Sequence, residues 1–394
     1  MMLMRKTCRP SRFVADVMKR VPPSGIRRYF DLASEVDDVI SLGVGEPDFV
    51  TPWHIREACI HSLECGETSY TSNYGLIELR EEISRFFSDK FSTCYDPKSE
   101  ILVTSGVSEA LDLAIRAITN PGDEIIVPQP SYVAYIPSVM FAGGVAVPVD
   151  TCLENEFKLN AEDLEAVITN KTKALILNYP NNPTGATMGK KDMEAIADVA
   201  AEHDIMVISD EVYDCLTYHG KHTCFASLDG MRDRTILLNG FSKAYAMTGF
   251  RMAYALAPRE VISSMMLIHQ YSMLCAPIIA QIGAIEALRN GTHEMEKMVR
   301  DYDRRRHLIV GGLNKIGLDC FEPRGAFYAF PSVQHTGLSS EEFAERLLFE
   351  QKVVTIPGTV FGKAGDGFLR CSYATSREEI EQALARIEAF VDGL

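Results

Sequence analysis

Short apolar runs alternate with amphipathic stretches through the middle of the chain. Six runs have the length of buried strands, at residues 101–104, 124–127, 145–147, 174–177, 205–208 and 236–238. Between them, apolar residues at helical spacing predict helices at 108–118 and 192–202. Strands that read as continuous apolar runs are buried on both faces. Their alternation with helices predicts an α/β domain with a mostly parallel sheet sandwiched by helices.

The pattern changes after about residue 295. Helices are predicted at 294–311, 340–350 and 377–391, with strand-like stretches at 325–330, 353–356 and 368–373. Elements on this scale predict a second, smaller α+β domain. We expect a large domain over 46–290 and a small domain formed by 1–45 together with 291–394.

Composition narrows the class of partner. The 394 residues carry a net charge of −15, which argues against nucleic acid or an anionic membrane as the main partner. No apolar run approaches the length of a membrane span, and the amino-terminal residues do not resemble a signal peptide. The ten cysteines show neither C-x-x-C nor zinc-ligand spacing. We therefore expect reduced thiols, no bound metal and a cytoplasmic location.

Chemically unusual residues come directly after several predicted strands, where ligands bind in open α/β sheets. They are Ser105-Gly106-Val107-Ser108, Tyr132, "NYPNNPTG" at 178–185, Asp210 in "SDEVY", and Lys243 and Arg251 in "NGFSKAYAMTGFR". Each has an ordinary alternative: Ser108 is a predicted helix N-cap, Tyr132 a core residue, the asparagines a turn, Asp210 a cap and Lys243 a surface lysine.

The set as a whole favours a shared ligand. A buried carboxylate such as Asp210 needs a cationic partner, and a helix amino terminus beside glycine binds anions. A desolvated lysine has a lowered pKa and attacks aldehydes. Together these groups suit a phosphorylated, planar, basic aldehyde, and pyridoxal 5′-phosphate is such a molecule.

The chain resembles the fold-type-I pyridoxal-phosphate aminotransferases of class I/II, the aspartate aminotransferase family, over roughly residues 12–390. The resemblance is carried by "SLGVGEPDFVTP", "NNPTG", "SDEVY", "GFSKAYAMTGFRMA", "PRGAFYAFP" and "FLRCSYA", in the family's order and spacing. With "PPSGIRRYFDLA", the lysine motif is most similar to the subgroup of prokaryotic aspartate and aromatic aminotransferases.

The resemblance implies roles around the cofactor ring. Lys243 would form the internal Schiff base and then carry a proton between the substrate Cα and the cofactor C4′. Asp210 would pair with the pyridine nitrogen. Asn182 and Tyr213 would hydrogen-bond the ring O3′, and Tyr132 would stack on the ring. Asn178 is a lesser candidate near the cofactor.

It also implies how the phosphate and the substrate are held. The phosphate ligands would be Gly106, Val107, Ser108, Ser242 and Arg251, joined by Tyr70 of a neighbouring subunit, so a homodimer with shared sites is expected. Arg370 would bind the substrate α-carboxylate, assisted by the backbone of Gly43 and by Asn182. Many relatives have serine three residues before the lysine, where this chain has Gly240, which puts one phosphate hydrogen bond in doubt.

The implied function is transfer of an amino group from an L-amino acid to a 2-oxo acid such as 2-oxoglutarate, with ping-pong kinetics. The donor stays open among aspartate, aromatic amino acids, alanine and diaminopimelate derivatives, with a broad aspartate/aromatic enzyme favoured. One alternative is a pyridoxal-phosphate C–S lyase on the same fold. Another is a non-catalytic, cofactor-sensing regulator, although the chain offers neither a helix-turn-helix nor a basic stripe for DNA.

Overall fold

The structure, a computed structural model, describes residues 10–394 and contains helices and strands in alternation. The helices are α1 (Gly25–Ala33), α2 (Trp53–Glu64), α3 (Ile77–Phe91), α4 (Val107–Ile118), α5 (Tyr135–Phe141), α6 (Ala161–Glu165), α7 (Lys190–Glu202), α8 (Arg259–Ser272), α9 (Ile278–Asn290), α10 (Thr292–Ile316), α11 (Ser340–Gln351) and α12 (Arg377–Val391). The strands are β1 (Ile40–Ser41), β2 (Ile101–Thr104), β3 (Glu124–Gln129), β4 (Val145–Asp150), β5 (Thr172–Leu177), β6 (Met206–Asp210), β7 (Thr235–Gly240), β8 (Ala253–Leu256), β9 (Tyr328–Ala329), β10 (Val353–Val354), β11 (Ile356–Pro357) and β12 (Leu369–Ser372).

Seven strands form the central sheet, in the order β2-β8-β7-β6-β5-β3-β4. Strand β8 is antiparallel to both of its neighbours, and the remaining pairs are parallel. The predicted α/β fold with a mostly parallel sheet is therefore confirmed. All six predicted strands are present, and each of β3 to β7 is longer than expected. Strand β8 was not predicted because its small residues come after the lysine motif without a turn signal.

Alternate residues of the strands face opposite helical layers. In β3, Ile125 and Val127 pack into the cluster that includes residues of α4, α5 and α8. Ile126, between them, packs into the opposite cluster with residues of α7. All three side chains are fully buried, and each such burial contributes about 1.5–3 kcal/mol to folding. The sheet is held rigidly from both sides, which fixes the positions of its strand ends.

The amino terminus of α4 differs from the sequence-based expectation. The helix begins at Val107 and its N-cap position is Gly106, with φ +86°, so the interpretation of Ser108 as the N-cap was wrong. Glycine adopts this left-handed conformation without steric cost, which lets the chain turn sharply out of β2. Ser108 consequently lies in the first helical turn.

The carboxyl-terminal elements form smaller sheets beside the central one. Strands β11, β12 and β9 are antiparallel neighbours, and β1 pairs with β10 in parallel. Helix α12 has the predicted bounds and begins with a capping box between Ser376 and Glu379, whereas α10 extends beyond its predicted ends. Tyr29, Ile40 and Leu42 pack into the core of these elements. The domain boundaries at 46 and 290 stay a prediction.

Two further features concern the described chain as a whole. Between residues 10 and 394, no helix combines the length and the apolar character that crossing a membrane requires. The cysteines of this range are free thiols, and Cys59, Cys224, Cys320 and Cys371 are buried. No disulfide therefore constrains the described residues.

Adjacent glycines in α10 give a test of the packing between α10 and α12. A Cβ at Gly312 would overlap the side chain of Leu384 in α12, whereas one at Gly311 would meet no atom within 4 Å. We expect Gly312→Ala to lower the free energy of unfolding by about 1–3 kcal/mol through overpacking. The matched Gly311→Ala should raise it by about 0.5–1 kcal/mol, because alanine favours the helix. Thermal denaturation of both variants checks this, and equal effects would contradict the described packing.

Candidate active site

A cavity of about 390 Å³ opens where the central strands end at their carboxyl termini. Most of the candidate residues from the sequence line it: Val107, Ser108, Tyr132, Asn178, Asn182, Asp210, Tyr213, Ser242, Lys243, Arg251 and Arg370. Gly43 and Gly106 lie at its edge, in contact with Arg370 and Arg251 respectively. Side chains at or beyond the ends of β3, β5, β6 and β7, together with one from β12, thus meet in one place although they are distant in sequence.

Lys243 comes after β7 and its amine is held inside the cavity. The Nζ atom donates to the backbone oxygen of Gly45 at 2.6 Å. Burial lowers the pKa of Lys243 to about 8. The positive charges of Arg370 and Arg251 also lower this pKa, whereas the negative charge of Glu46 raises it. A substantial fraction of the amine is therefore neutral near pH 8, and a neutral amine is the nucleophilic form.

Asp210, the last residue of β6, is a buried acid that forms no ion pair with any described residue. Burial raises its pKa to about 6, partly offset by hydrogen bonds from the Tyr135 hydroxyl at 2.8 Å and the Val212 N–H at 3.3 Å. Asn178 donates to the backbone oxygen of Asp210 at 2.9 Å and so fixes the strand end. A buried carboxylate with hydrogen bonds but without a counter-ion is suited to a cationic ligand.

One part of the cavity, here called its anion end, is suited to a negatively charged ligand. The first turn of α4 presents Val107 and Ser108, and Ser242 and Arg251 line the same space. A Cβ at Gly106 would overlap the guanidinium of Arg251, so only glycine allows this close approach. Arg251 donates to the backbone oxygen of Thr248 at 3.2 Å and pairs with no carboxylate in residues 10–394. A helix amino terminus and an unpaired arginine together attract a phosphate group.

The close approach of two strands explains why position 240 is a glycine. Gly240 pairs with Ala253 across β7 and β8, and a Cβ at position 240 would lie 2.8 Å from the Ala253 Cβ and 3.0 Å from the Met252 oxygen. The two strands therefore approach too closely for a serine side chain without a shift of the backbone. A hydrogen bond from a side chain at this position is not available to an anion in this chain.

Arg370 is a buried cation in β12, with 2% of its surface exposed. It donates through Nη2 to the Gly43 oxygen at 2.7 Å and through Nη1 to Asn182 Oδ1 at 3.0 Å. Its guanidinium carbon lies 4.7 Å from the Tyr328 ring centroid, and burial lowers its pKa. The Nε atom is buried without a partner, and no described carboxylate pairs with this arginine. Such an arrangement has an unfilled capacity to bind a carboxylate.

Tyr213 and Asn182 also line the cavity, and Asn182 is in contact with Arg370. The Tyr213 hydroxyl lies 2.9 Å from that of Tyr328, and burial raises the pKa of Tyr213 well above its usual value. The backbone N–H of Asn182 donates to Asn178 Oδ1 at 3.0 Å, so the "NNPTG" turn is stabilised by its own side chains. Tyr132 lies beside Tyr135, with ring centroids 5.6 Å apart.

Sequence reasoning missed four polar side chains that line the cavity: Glu46, Tyr135, Thr248 and Tyr328. Tyr135 lies three residues after Tyr132, and its N–H donates to the Tyr132 oxygen at 3.2 Å. One tight turn therefore brings both to the cavity, and this spacing was the available signal. Tyr328 belongs to the motif "PRGAFYAFP", which carried the resemblance without a role for the tyrosine. Thr248 donates its hydroxyl hydrogen to Glu46. For Glu46, Thr248 and Tyr328, no local pattern distinguishes the side chain from that of a core or surface residue.

Two regions bear on substrate size and subunit contacts. The apolar residues Ile26 and Phe30 of α1 line the cavity together with Val44. Tyr70 does not line the cavity of its own chain, and 83% of it is exposed. Exposed apolar side chains, among them Tyr271 and Leu274, are connected to this segment because Asn73 donates to the Leu274 oxygen at 2.6 Å.

The family model and the similar known proteins that we compared agree with each other. The family model described as "Aminotransferase class I and II" matches residues 37–387. The chain is similar to an aspartate aminotransferase of Pyrococcus abyssi, 47% identical over 95% of this chain and 97% of that protein. It is similar to aromatic-amino-acid aminotransferase 2 of Thermococcus litoralis, 46% identical over 95% and 97% of the respective chains.

The fold is also that of solved structures. A structure of aspartate aminotransferase from Thermus thermophilus with maleate superimposes with a TM-score of 0.92. It is 39% identical and covers 95% of this chain and 99% of its own. The family model and these relatives span nearly the whole chain, and the cavity contains the lysine, acid and arginines that the resemblance implies. The chain belongs to the class I and II aminotransferases.

Proposed function

We propose that this aminotransferase binds pyridoxal 5′-phosphate in the cavity and moves an amino group from an aromatic amino acid or aspartate to a 2-oxo acid such as 2-oxoglutarate. One observation carries the proposal. The cavity brings together a desolvated lysine, a buried acid without a counter-ion and two arginines without carboxylate partners among the described residues. Buried charges that stay unpaired destabilise the fold, and ligands of opposite charge would remove this cost by pairing with them.

The residues fit the cofactor at each of its polar groups. When bound, pyridoxal phosphate supplies an aldehyde that exchanges amines and a ring that accepts electrons from the substrate. Asp210 would hold the ring nitrogen, and Asn182 and Tyr213 would hold the ring hydroxyl. Arg251, Ser242 and the first turn of α4 would hold the phosphate, with Gly106 leaving room for the arginine. Tyr132 would cover the ring face.

Lys243 is the group positioned to attach the cofactor and to move the proton. Its amine is buried and, with a pKa of about 8, exchanges a proton near neutral pH. Tyr135 and the Val212 N–H hold the Asp210 carboxylate in place, so this acid stays directed into the cavity.

Arg370 would bind the α-carboxylate that amino acids and 2-oxo acids share. Gly43 and Asn182 hold two of its nitrogens, and the stacked ring of Tyr328 fixes the plane of the guanidinium. The fork therefore meets the carboxylate without reorganisation, which lowers the entropic cost of binding.

The apolar part of the cavity lining supports an aromatic donor over aspartate. Ile26, Phe30 and Val44 offer contact to a flat ring. Arg251 and Arg370 are the two arginines that line the cavity within the described residues, and both are assigned to other groups. A side-chain carboxylate would be held by neutral groups or water, which bind it more weakly than an arginine does. The ratio of kcat/KM for tyrosine and aspartate measures this preference.

The names of the similar proteins do not favour the C–S lyase, and they give no support to a DNA-binding regulator.

We further infer a homodimer in which Tyr70 of one subunit reaches the phosphate site of the other. Its exposed position and the exposed side chains of Tyr271 and Leu274 support this. Free thiols throughout the described chain support a reducing, cytoplasmic setting.

Removal of the lysine amine tests the proposed reaction. We expect Lys243→Ala to lower turnover with any amino donor by at least about 10²–10⁴-fold, the worth of a general acid–base group. Lys315→Ala changes an exposed lysine of α10 and serves as the control. Borohydride reduction of the wild type with pyridoxal phosphate should add mass to the peptide that contains Lys243. Normal turnover of Lys243→Ala would refute the proposal.

The lowered pKa of Lys243 predicts a pH dependence of cofactor attachment. Because the neutral amine attacks, the rate should rise about tenfold per pH unit below pH 8 and level off above it. An ordinary lysine, with a pKa of 10.5, would continue to accelerate well beyond pH 8. Rapid-mixing absorbance of cofactor-free enzyme with pyridoxal phosphate gives the profile. A midpoint near 10.5 would mean that the amine is not desolvated.

Arg370→Lys tests carboxylate binding. The lysine keeps the charge but loses the fork, so kcat/KM should fall by roughly 10–100-fold, the worth of one hydrogen bond to a charged group. The loss should be similar for tyrosine and aspartate, because both carry the same α-carboxylate. Arg346→Lys, in an exposed pair with Glu350, is the matched control. A loss confined to aspartate would instead assign Arg370 to the side chain.

A further inference from the structure

A glutamate and a histidine lie directly behind the anion end of the cavity. Glu109, in the first turn of α4, accepts the backbone N–H of Ser105 with its Oε2 atom. Its Oε1 atom lies 2.7 Å from Nδ1 of His269, which comes from α8. Both oxygens of the carboxylate are therefore engaged by donors, and neither donor belongs to the cavity.

The pair is buried. The side chain of His269 is fully buried and that of Glu109 is 13% exposed. The Nε2 atom of His269 has no hydrogen-bond partner in the described part of the chain. This arrangement suits the tautomer with its hydrogen on Nδ1, because a hydrogen on Nε2 would be buried without an acceptor. The imidazole then has one function here, which is to donate to Glu109.

The contact with Ser105 fixes the turn that leads from β2 into α4. Gly106 is left-handed, and its N–H is already turned back to the Thr104 oxygen at 3.0 Å. Glu109 takes up the preceding N–H. The conformation of the turn is thus set from both sides before the chain reaches Val107 and Ser108 at the cavity. A turn fixed in this way presents its remaining N–H groups in one direction.

A packing role alone does not account for the chemistry of the pair. A carboxylate close to a phosphate site repels the phosphate, so its presence there is unfavourable to binding unless it performs a compensating task. An apolar residue would fill the same buried space at lower desolvation cost. The task that the geometry offers is orientation of the turn between β2 and α4.

We infer that Glu109 and His269 are positioning residues that hold the Ser105–Ser108 turn in the conformation that binds the phosphate of the cofactor. The inference rests on the proposed function, because the phosphate is that of pyridoxal phosphate. The pair acts only through the turn and touches neither the cofactor nor the substrate. Its loss weakens binding of phosphorylated ligands and leaves the rest of the cavity unchanged.

The test compares two ligands that differ only in the phosphate. Cofactor-free wild type and Glu109→Ala are titrated with pyridoxal 5′-phosphate and with pyridoxal, with absorbance as the readout. We expect the dissociation constant for pyridoxal phosphate to rise about 10–100-fold, since hydrogen bonds to charged groups contribute that much. The constant for pyridoxal should change less than about twofold, because the ring and aldehyde contacts are unaltered. Equal weakening of both ligands, or of neither, would overturn the inference.

A matched pair elsewhere supplies the control. Glu286 lies 2.8 Å from Nδ1 of His54, is partly buried and is not part of the cavity lining. Glu286→Ala should leave both dissociation constants unchanged. A shift of the same size in this variant would assign the effect of Glu109→Ala to general loosening of the fold.

Variants of His269 keep the inference testable if Glu109→Ala does not fold. His269→Asn retains a donor near the position of Nδ1 and should retain most of the affinity for pyridoxal phosphate, whereas His269→Leu should lose it. Similar affinities in the two variants would count against the pair. Thermal-shift titration with inorganic phosphate provides a readout that does not need the aldehyde. If the wild type bound phosphate but not pyridoxal phosphate, the proposed function would be refuted. The role of the pair would then be decided by whether the variants bind inorganic phosphate more weakly than the wild type does.

Discussion

The structure depends on charges that are buried without pairing to one another. Lys243, Asp210 and Arg370 lie in one cavity, and none of the three forms an ion pair with any residue between 10 and 394. Direct pairing of the lysine with the acid would be the cheapest solution for the free protein. Instead, the fold holds each charge with neutral partners, such as the Gly45 oxygen and the Tyr135 hydroxyl. The charges are thereby separated and left available to a ligand.

Holding the charges apart requires a rigid frame. Lys243 and Asp210 are fixed by neighbouring strands of the central sheet, which is packed between helices on both faces. Arg370 comes from a different sheet, and its contact with Gly43 joins residues 327 positions apart. The proposed α-carboxylate site is consequently assembled from the amino-terminal segment and from β12. The same parts also contact the proposed cofactor site, because Arg370 donates to Asn182 and Lys243 donates to the Gly45 oxygen.

Much of this arrangement is predictable from the sequence, for a physical reason. Strands buried on both faces read as apolar runs, and parallel strands place the residues at their carboxyl ends along one edge. That logic locates Asp210 and Lys243, and the family resemblance adds Arg370. Tyr135 and Tyr328 escape it, because a tyrosine in a helix or a short strand has the same local pattern whether it packs or binds. The start of α4 was misplaced because a capping serine is common, whereas the left-handed backbone of Gly106 and its close contact with Arg251 arise only in the folded chain.

The pKa values indicate when the cofactor-free site is least stable. Asp210 has a folded pKa of about 6 against its ordinary 3.8, so its ionised form destabilises the fold fully above pH 6. Lys243 has a folded pKa of about 8 against 10.5, so its protonated form destabilises the fold fully below pH 8. Between about pH 6 and pH 8 both penalties are present together. A ligand that supplies a cation to Asp210 and converts the amine of Lys243 removes both. Because binding to the folded state alone adds to stability, the interactions that would select the proposed cofactor would also stabilise the fold at neutral pH.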